Sequence, residues 1–444
     1  MKAHTSQLAL PILIALATLT WPSFVISHAD EEVDVDVDVD FPPMLDADDI
    51  SFFSSNYDID GLHWALSNVF QRSKRNTNER EIIYKELPQI LASRGGGDTY
   101  TTQYKLEMDL EQAVYLVNNH LLSQEEEIYF AQHVIPTYEK VLGNIPSLGE
   151  LSKTEGLYAF RKEDYDLGIG SIYNKALHLT DFDVLKDGDG NLLPLLNDGF
   201  DAHAIEEHWF GTDDGTSNSN SNSNINNSIS KGIVVIDDIL SPKALQRIRA
   251  LLNESTVFYQ TKMPLKFGGY VGAYIDDGLH DKILLQLAFE LNKALPNIMN
   301  GHPLKYLWAY KYDSRYTGIN THADQAAINV NLWIAPEDAN LNKDSGGLVV
   351  FTAKPPADWD FEKYNMDTTK VMKEILEPTN FANVTVPYRE NRAVIFDSAL
   401  FHHTDEFTFK EGYANRRINL TILYGDMVMG SDDNGGRSTT SSEL

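Results

Sequence analysis

His322, Ala323 and Asp324 set an imidazole and a carboxylate two residues apart. In an extended segment residues i and i+2 point to the same face, so both side chains reach one cation from a single strand edge. A third ligand has to come from elsewhere in the chain. His402 stands shortly after the apolar run Ala393-Val394-Ile395-Phe396, with His403 beside it. Two imidazoles and one carboxylate on one face of an octahedron leave three positions open, which suits a non-haem ferrous ion that must hold a cosubstrate and O2 together. The chain has no cysteine. That excludes disulfides, thiolate zinc sites, iron–sulfur clusters and cysteine nucleophiles, and leaves His and carboxylates to hold any metal.

These residues need rigid elements to carry them. Short β-branched or aromatic runs predict strands over 233–236, 306–312, 327–334, 347–351, 393–396 and 417–424. Ser241-Pro242 supplies an N-cap followed by Pro at the first helical position, and Leu245, Ile248, Leu251 and Leu252 give the helix that follows one apolar face. A second helix is expected over 281–295 on Ile283, Leu287, Leu291 and Leu295. Many short strands with loops between them predict a sandwich or jelly roll. On this pattern Arg417, Asn419 and Thr421 share one strand face, while Arg416 points the other way.

The order of the pieces resembles the Fe(II)/2-oxoglutarate-dependent oxygenase superfamily, nearest its prolyl-4-hydroxylase-like branch, over about 232–426. Ile233 through Pro242 resembles the family's entry strand and first helix. Tyr312 and Tyr316 precede His322 as tyrosines do in that branch. Gly346-Gly347-Leu348 resembles its Gly-Gly turn, and Phe396-Asp397-Ser398 three residues short of His402 resembles the approach to the distal iron histidine. Arg417, Asn419 and Thr421 resemble its Arg-x-Ser-x-Thr strand, with Asn in place of Ser.

The resemblance implies a double-stranded β-helix (jelly-roll, cupin-like) in an α+β chain. It implies Fe(II) as cofactor, held by His322, Asp324 and His402, with 2-oxoglutarate and O2 as cosubstrates. Arg417 would grip the distal carboxylate of 2-oxoglutarate, since a buried dicarboxylate calls for a fixed guanidinium fork. Asn419, Tyr312 and Asn331 would line the cosubstrate pocket. His403 is the alternative to His402, and Arg416 to Arg417. Halogenating relatives lack the carboxylate that Asp324 provides, so hydroxylation or a related oxidation is the implied reaction. The substrate is a peptidyl side chain such as proline, or a small metabolite. The rival reading is a non-catalytic metal-binding jelly roll with a helical interaction domain, which has no need of Arg417. Trp359, Phe361 and Tyr364, in the insertion over 352–389, form either a substrate lid or an anchor for the loop.

The whole chain has 444 residues and a formal net charge of −29. That charge argues against nucleic-acid binding and against docking on anionic lipid. Residues 1–29 read as a signal peptide: Lys2, an apolar stretch from Leu8 to Ile26, and a small-x-small step at Ser27-His28-Ala29. An uncleaved type II anchor is the alternative, and only in that case is a membrane a partner. Either way the rest is expected in the secretory lumen or outside the cell. Residues 30–48 form an acidic linker, 49–211 a mainly helical domain, 212–231 a Ser/Asn-rich linker, 232–428 the oxygenase domain and 429–444 a disordered tail.

Within the N-terminal domain helices are expected over 60–75 and 79–94, before the break at Gly95-Gly96-Gly97. Ser123 and Glu126 form a capping box ahead of a helix with Ile128, Ala131, Ile135, Tyr138 and Leu142 on its apolar face, kinked at Pro136. Asp187 to Asn191 reads as a polar turn that partly matches a calcium loop, without the Gly and Glu that loop needs. Asn226, Asn253 and Asn383 match the N-glycosylation acceptor pattern, and Asn419 matches it inside an apolar strand.

Overall fold

A computed structural model describes residues 47–71, 99–180, 182–211, 231–359, 361–366 and 368–427. The signal segment, most of the acidic linker, the expected 79–94 helix with its glycine break, nearly all of the Ser/Asn-rich linker with Asn226, and the C-terminal tail lie outside the described residues.

The chain is a mixture of helices and antiparallel sheet. Its strands are β1 Tyr100–Thr101, β2 Tyr158–Ala159, β3 Ile233–Ile236, β4 Gln260–Thr261, β5 Tyr270–Tyr274, β6 Leu304–Tyr312, β7 Ile328–Trp333, β8 Leu348–Phe351, β9 Asn383–Val386, β10 Ala393–Asp397, β11 His402–Thr404 and β12 Ile418–Tyr424. A seven-stranded sheet runs in the order β3-β10-β7-β12-β6-β5-β4, and a three-stranded sheet in the order β11-β8-β9. All pairings in both are antiparallel. β1 and β2 pair by themselves.

The large sheet is buried on both faces, which is why its strands read as nearly unbroken apolar runs. Buried side chains of the helices Pro242–Glu254 and Lys282–Ala294 join the same core as the strands. Ser241 caps the first, accepting from the Ala244 N–H at 3.3 Å, and Pro242 follows at the first helical position. Along the second, Ile283, Leu287, Leu291 and Leu295 are all buried. The inner face of the large sheet looks across a pocket to the small one.

The N-terminal region contributes to this core as well as holding its own. Leu62, Leu66, Phe70, Tyr104 and Met108 join the main cluster. A second cluster gathers Leu106, Leu116, Phe130, Val134, Tyr138 and Tyr173. The Ser123 capping box forms, with Ser123 N–H donating to Glu126 at 2.8 Å and Glu126 N–H to the Ser123 hydroxyl at 3.3 Å.

The helix beyond it differs from expectation. It buries Phe130, Val134, Tyr138 and Val141, while Ile128 and Ala131 are exposed. A π turn over Phe130–Val134 separates the segments Gln124–Tyr129 and Ile135–Leu142. The buried residues still recur at helical spacing, and Ile135 and Leu142 of the expected face stay partly buried beside them. The π turn lies just ahead of Pro136, which stands in the first turn of the second segment.

The helix expected over 60–75 is described as Ile59–Gln71. Asp187 spends its carboxylate on its own turn, accepting from the Asp189 and Asn191 N–H groups, each at 2.9 Å. Asn253 and Asn419 are buried, which removes both as glycosylation acceptors, while Asn383 is exposed. Among the described residues no helix is long and apolar enough to cross a membrane.

Candidate metal centre and pocket

Backbone pairing brings the two histidines together. His322 N–H donates to the His402 carbonyl at 3.0 Å, and His402 N–H donates back to His322 at 2.8 Å. This isolated antiparallel bridge holds their rings 4.2 Å apart, centroid to centroid. His322 Nε2 lies 3.6 Å from one Asp324 oxygen and His402 Nε2 lies 3.5 Å from the other. The three ligand atoms all fall within 4.8 Å of one another. His403, next along β11, is not part of this cluster. Its Nδ1 lies 2.9 Å from the Thr404 carbonyl and its ring packs by Phe351. Strand alternation sends one of two adjacent histidines inward and the other out.

Each imidazole is oriented by its other nitrogen. Nδ1 of His322 sits 2.8 Å from the Asn320 carbonyl and Nδ1 of His402 sits 3.0 Å from the Leu400 carbonyl. A carbonyl only accepts, so both Nδ1 atoms carry hydrogen and both Nε2 lone pairs face the cluster. Burial, reinforced by the neighbouring His402, pushes His322 down to about 4. Burial alone would raise the Asp324 carboxyl, but His322, His402 and the Asn329 amide hold it below its ordinary value. Near neutral pH His322 is therefore neutral and Asp324 ionised, as metal binding requires.

Arg417 stands immediately before β12 and is only 1% exposed. Its Nε donates to the Gly346 carbonyl at 2.8 Å and its Nη2 to the Gly347 carbonyl at 2.9 Å. The guanidinium lies 4.5 Å over the Tyr312 ring. Its Nη1 is buried with no acceptor among the described residues. The glycine pair is a steric requirement. Gly346 has a φ of +89°, and a Cβ on Gly347 would come 1.9 Å from the Val386 carbonyl oxygen. Only two glycines let the backbone close on Arg417 in this way.

Arg416 faces the other side. It bonds Glu111 through Nε at 2.8 Å and Nη2 at 2.9 Å, and Asp313 through Nη1 at 3.1 Å. It pins the N-terminal helix Gln103–Asn118 to the sheet.

One pocket contains His322, Asp324, His402, Arg417, Asn419, Tyr312 and Asn331, that is, every site residue expected from the sequence. A chain of amides runs along its floor. Asn329 donates to Asp324 at 2.8 Å, Asn331 to Asn329 at 2.7 Å, and Asn419 to Asn331 at 2.6 Å. Asn331 thus orients its neighbours besides lining the pocket. Burial raises the Tyr312 phenol, with Arg417 and Thr404 opposing the rise, so it stays a neutral hydrogen-bonding group.

Asn329 and Asn365 escaped the sequence reading. Asn329 had a signal, since Asn at alternate positions of Ile-Asn-Val-Asn-Leu-Trp marks one polar stripe on an otherwise apolar strand. Asn365 had none. It reaches in from the insertion and clamps Ala323, between two of the clustered residues, by paired bonds of 2.9 Å to its N–H and its carbonyl. In the same insertion Trp359 and Tyr364 are buried in a cluster with Ala323 and Phe401, the anchoring alternative of the two expected for those rings.

No family model matches the chain, and no curated protein matches it. Solved structures do. The chain is similar to the non-heme alpha ketoglutarate dependent epimerase SnoN from nogalamycin biosynthesis, described in complex with Fe3+, alpha ketoglutarate and nogalamycin RO. That match is 13% identical and covers 48% of this chain and 89% of that one, with a TM-score of 0.32. It is similar to HygX from Streptomyces hygroscopicus with nickel, 2-oxoglutarate and hygromycin B bound, at 12% identity, 44% and 83% coverage and a TM-score of 0.31. A Pseudomonas putida prolyl-4-hydroxylase matches at 13% identity, 44% and 92% coverage and a TM-score of 0.28.

Proposed function

We propose that this chain is an Fe(II)- and 2-oxoglutarate-dependent dioxygenase on a double-stranded β-helix. Its substrate is a protein side chain such as proline, or a small molecule, hydroxylated at a C–H bond. One observation carries the reading: a buried guanidinium with an unpartnered Nη1 shares a pocket with the His322–Asp324–His402 cluster. An unmet buried donor on a charged group is costly, and a ligand carboxylate removes that cost. Nη1 and the second proton of Nη2 present a fork that matches a carboxylate.

The donor set fits Fe(II), with two imidazole Nε2 atoms, one carboxylate and no thiolate. His322, Asp324 and His402 would hold the metal, and Arg417 the far carboxylate of 2-oxoglutarate. Iron bound there supplies the coupling of O2 activation to the decarboxylation of 2-oxoglutarate and to hydroxylation of the substrate. The chain's own contribution is orientation. The Asn320 and Leu400 carbonyls set the imidazole tautomers, Asn329 steadies Asp324, and the Gly346 and Gly347 carbonyls aim Arg417. The non-catalytic alternative keeps the metal cluster but gives Arg417 Nη1 nothing to do.

Anaerobic addition of Fe(II) and 2-oxoglutarate to the purified chain is the test. The expected result is a visible metal-to-ligand charge-transfer band, and succinate once air is admitted. Absence of both overturns the proposal. For the compartment, we propose entry into the secretory pathway on the N-terminal segment alone. A mature N-terminus near Asp30 is the expected finding if the segment is cleaved, and an intact one if it is an anchor.

A further inference from the structure

We propose that Asn383 carries an N-linked glycan whose first sugar packs on the exposed ring of Phe381. The proposal rests on entry into the secretory pathway, put forward above, and is independent of the oxygenase chemistry.

The chain has four Asn-x-Ser/Thr acceptor patterns, at Asn226, Asn253, Asn383 and Asn419. Asn226 lies outside the described residues. Asn253 and Asn419 are each 4% exposed, so a glycan on either would bar the fold. Asn383 and Thr385 are both exposed. They stand on β9, the rim of the small sheet, which among the described residues pairs only with β8. Alternation turns Val384 and Val386 toward the core and leaves Asn383 and Thr385 on the solvent face.

The Asn383 amide is held at both ends. Its Nδ2 donates to the Phe381 carbonyl at 2.8 Å, and the Thr385 hydroxyl donates to its Oδ1 at 3.1 Å. Nδ2 has two hydrogens and this contact uses one. The other is the one a glycan replaces. In the transfer Nδ2 bonds to the anomeric carbon of a lipid-diphosphate-linked oligosaccharide. The bond from that carbon to the diphosphate oxygen breaks, the lipid diphosphate leaves, and the nitrogen gives up one proton. The remaining N–H keeps the contact with Phe381.

Phe381 supplies the second, independent observation. Its ring is 38% exposed, on a residue with a φ of +53°, directly after Asn380 with the same φ. A bulky side chain in the left-handed region is strained. The ring joins none of the core clusters among the described residues, so packing in this chain does not offset that strain. It stands two residues before the acceptor asparagine, on the residue whose carbonyl that side chain bonds. There it offers a flat apolar face to the C–H face of a sugar. The other three patterns have Asn224, Leu251 and Arg417 at that place, none of them aromatic.

The test expresses the full chain in a secretory eukaryotic host and maps its peptides by mass spectrometry. The peptide with Asn383 is expected to carry a glycan, lost in Asn383→Gln and Thr385→Ala and retained in Thr385→Ser. Melting curves then test the ring. Trimming the glycan to its first sugar is expected to leave the melting temperature native, and removing that sugar with an amidase to lower it by about 2 °C. In Phe381→Ala the trimmed and sugar-free proteins should melt together. The amidase converts the asparagine to aspartate in both backgrounds, so the comparison cancels that change. A chain that reaches the lumen, shown by a cleaved N-terminus or by protease protection in microsomes, with Asn383 unmodified overturns the proposal alone. A melting difference that survives Phe381→Ala overturns the role of the ring. A chain left in the cytosol with its N-terminal segment intact overturns the secretory reading, and this proposal with it.

Discussion

Replacing Arg417 by Lys keeps the charge and removes the fork. In the native chain Nε and Nη2 are fixed by the Gly346 and Gly347 carbonyls, which leaves Nη1 without an acceptor among the described residues and one Nη2 proton outside those two bonds, on a residue that lines the pocket. Lysine has a single nitrogen, which cannot satisfy two carbonyls and present two parallel bonds at once. At least one bond to the cosubstrate is lost. A hydrogen bond to a charged group contributes about 1.5–3 kcal/mol, and each 1.4 kcal/mol is a factor of about ten. The expected outcome is a 2-oxoglutarate dissociation constant raised roughly tenfold to a hundredfold. The assay is anaerobic titration of the Fe(II)-loaded chain, following the charge-transfer band, with a melting curve to show that the variant is folded. Arg416→Lys is the matched control. Its partners are Glu111 and Asp313, so its melting temperature should fall while its affinity for 2-oxoglutarate stays native. A folded Arg417→Lys variant with native affinity would refute the assignment of Arg417 as the carboxylate clamp.

Three further outcomes are expected. His322→Ala and His402→Ala should each abolish the charge-transfer band while His403→Ala retains it, because only the first two rings face Asp324; loss of the band in His403→Ala overturns that distinction. Asn365→Ala removes both bonds that clamp Ala323 and should weaken metal binding by roughly tenfold to a hundredfold, measured by competition with a chelator; native affinity would show that the insertion does not position the metal loop. His280 is buried beside His63, and burial, reinforced by His63 and opposed by Asp277, pushes it down to about 3. The unfolded ring binds a proton below about 6.5, so its contribution to stability is whole above that pH and is lost as pH falls toward the folded value. The denaturation midpoint should therefore drop between pH 7 and pH 4.5, and drop less in His280→Asn; equal losses in the two proteins would sink this account.

The sequence by itself determined the chemistry and its order along the chain. His322 and Asp324 two apart, His402 after an apolar strand, and Arg417, Asn419 and Thr421 in alternation are local patterns, and period-two geometry makes each pattern a shared face. The helices over 242–254 and 282–294 were legible for the same reason, since capping and apolar spacing act within a few residues. Other features were decided by tertiary structure. Alternation says that one of His402 and His403 faces inward, but the bridge to His322 settles which. The same holds for Arg417 against Arg416, where the Gly346 and Gly347 carbonyls take one and Glu111 and Asp313 the other. β4 and β5 left no clear run, β4 being two polar residues that pair with β5, and β5 an edge-side strand interrupted by Gly272 that pairs with β6. The helix after Ser123 carries two neighbouring apolar stripes of the same helical period, and packing chooses the one through Phe130, Val134, Tyr138 and Val141. Asn365 reaches the site from a segment distant in the chain. The reason is common to all of these: a strand's periodicity is a property of its own backbone, whereas which face looks inward, and what stands opposite, depends on packing between residues that sequence spacing does not relate.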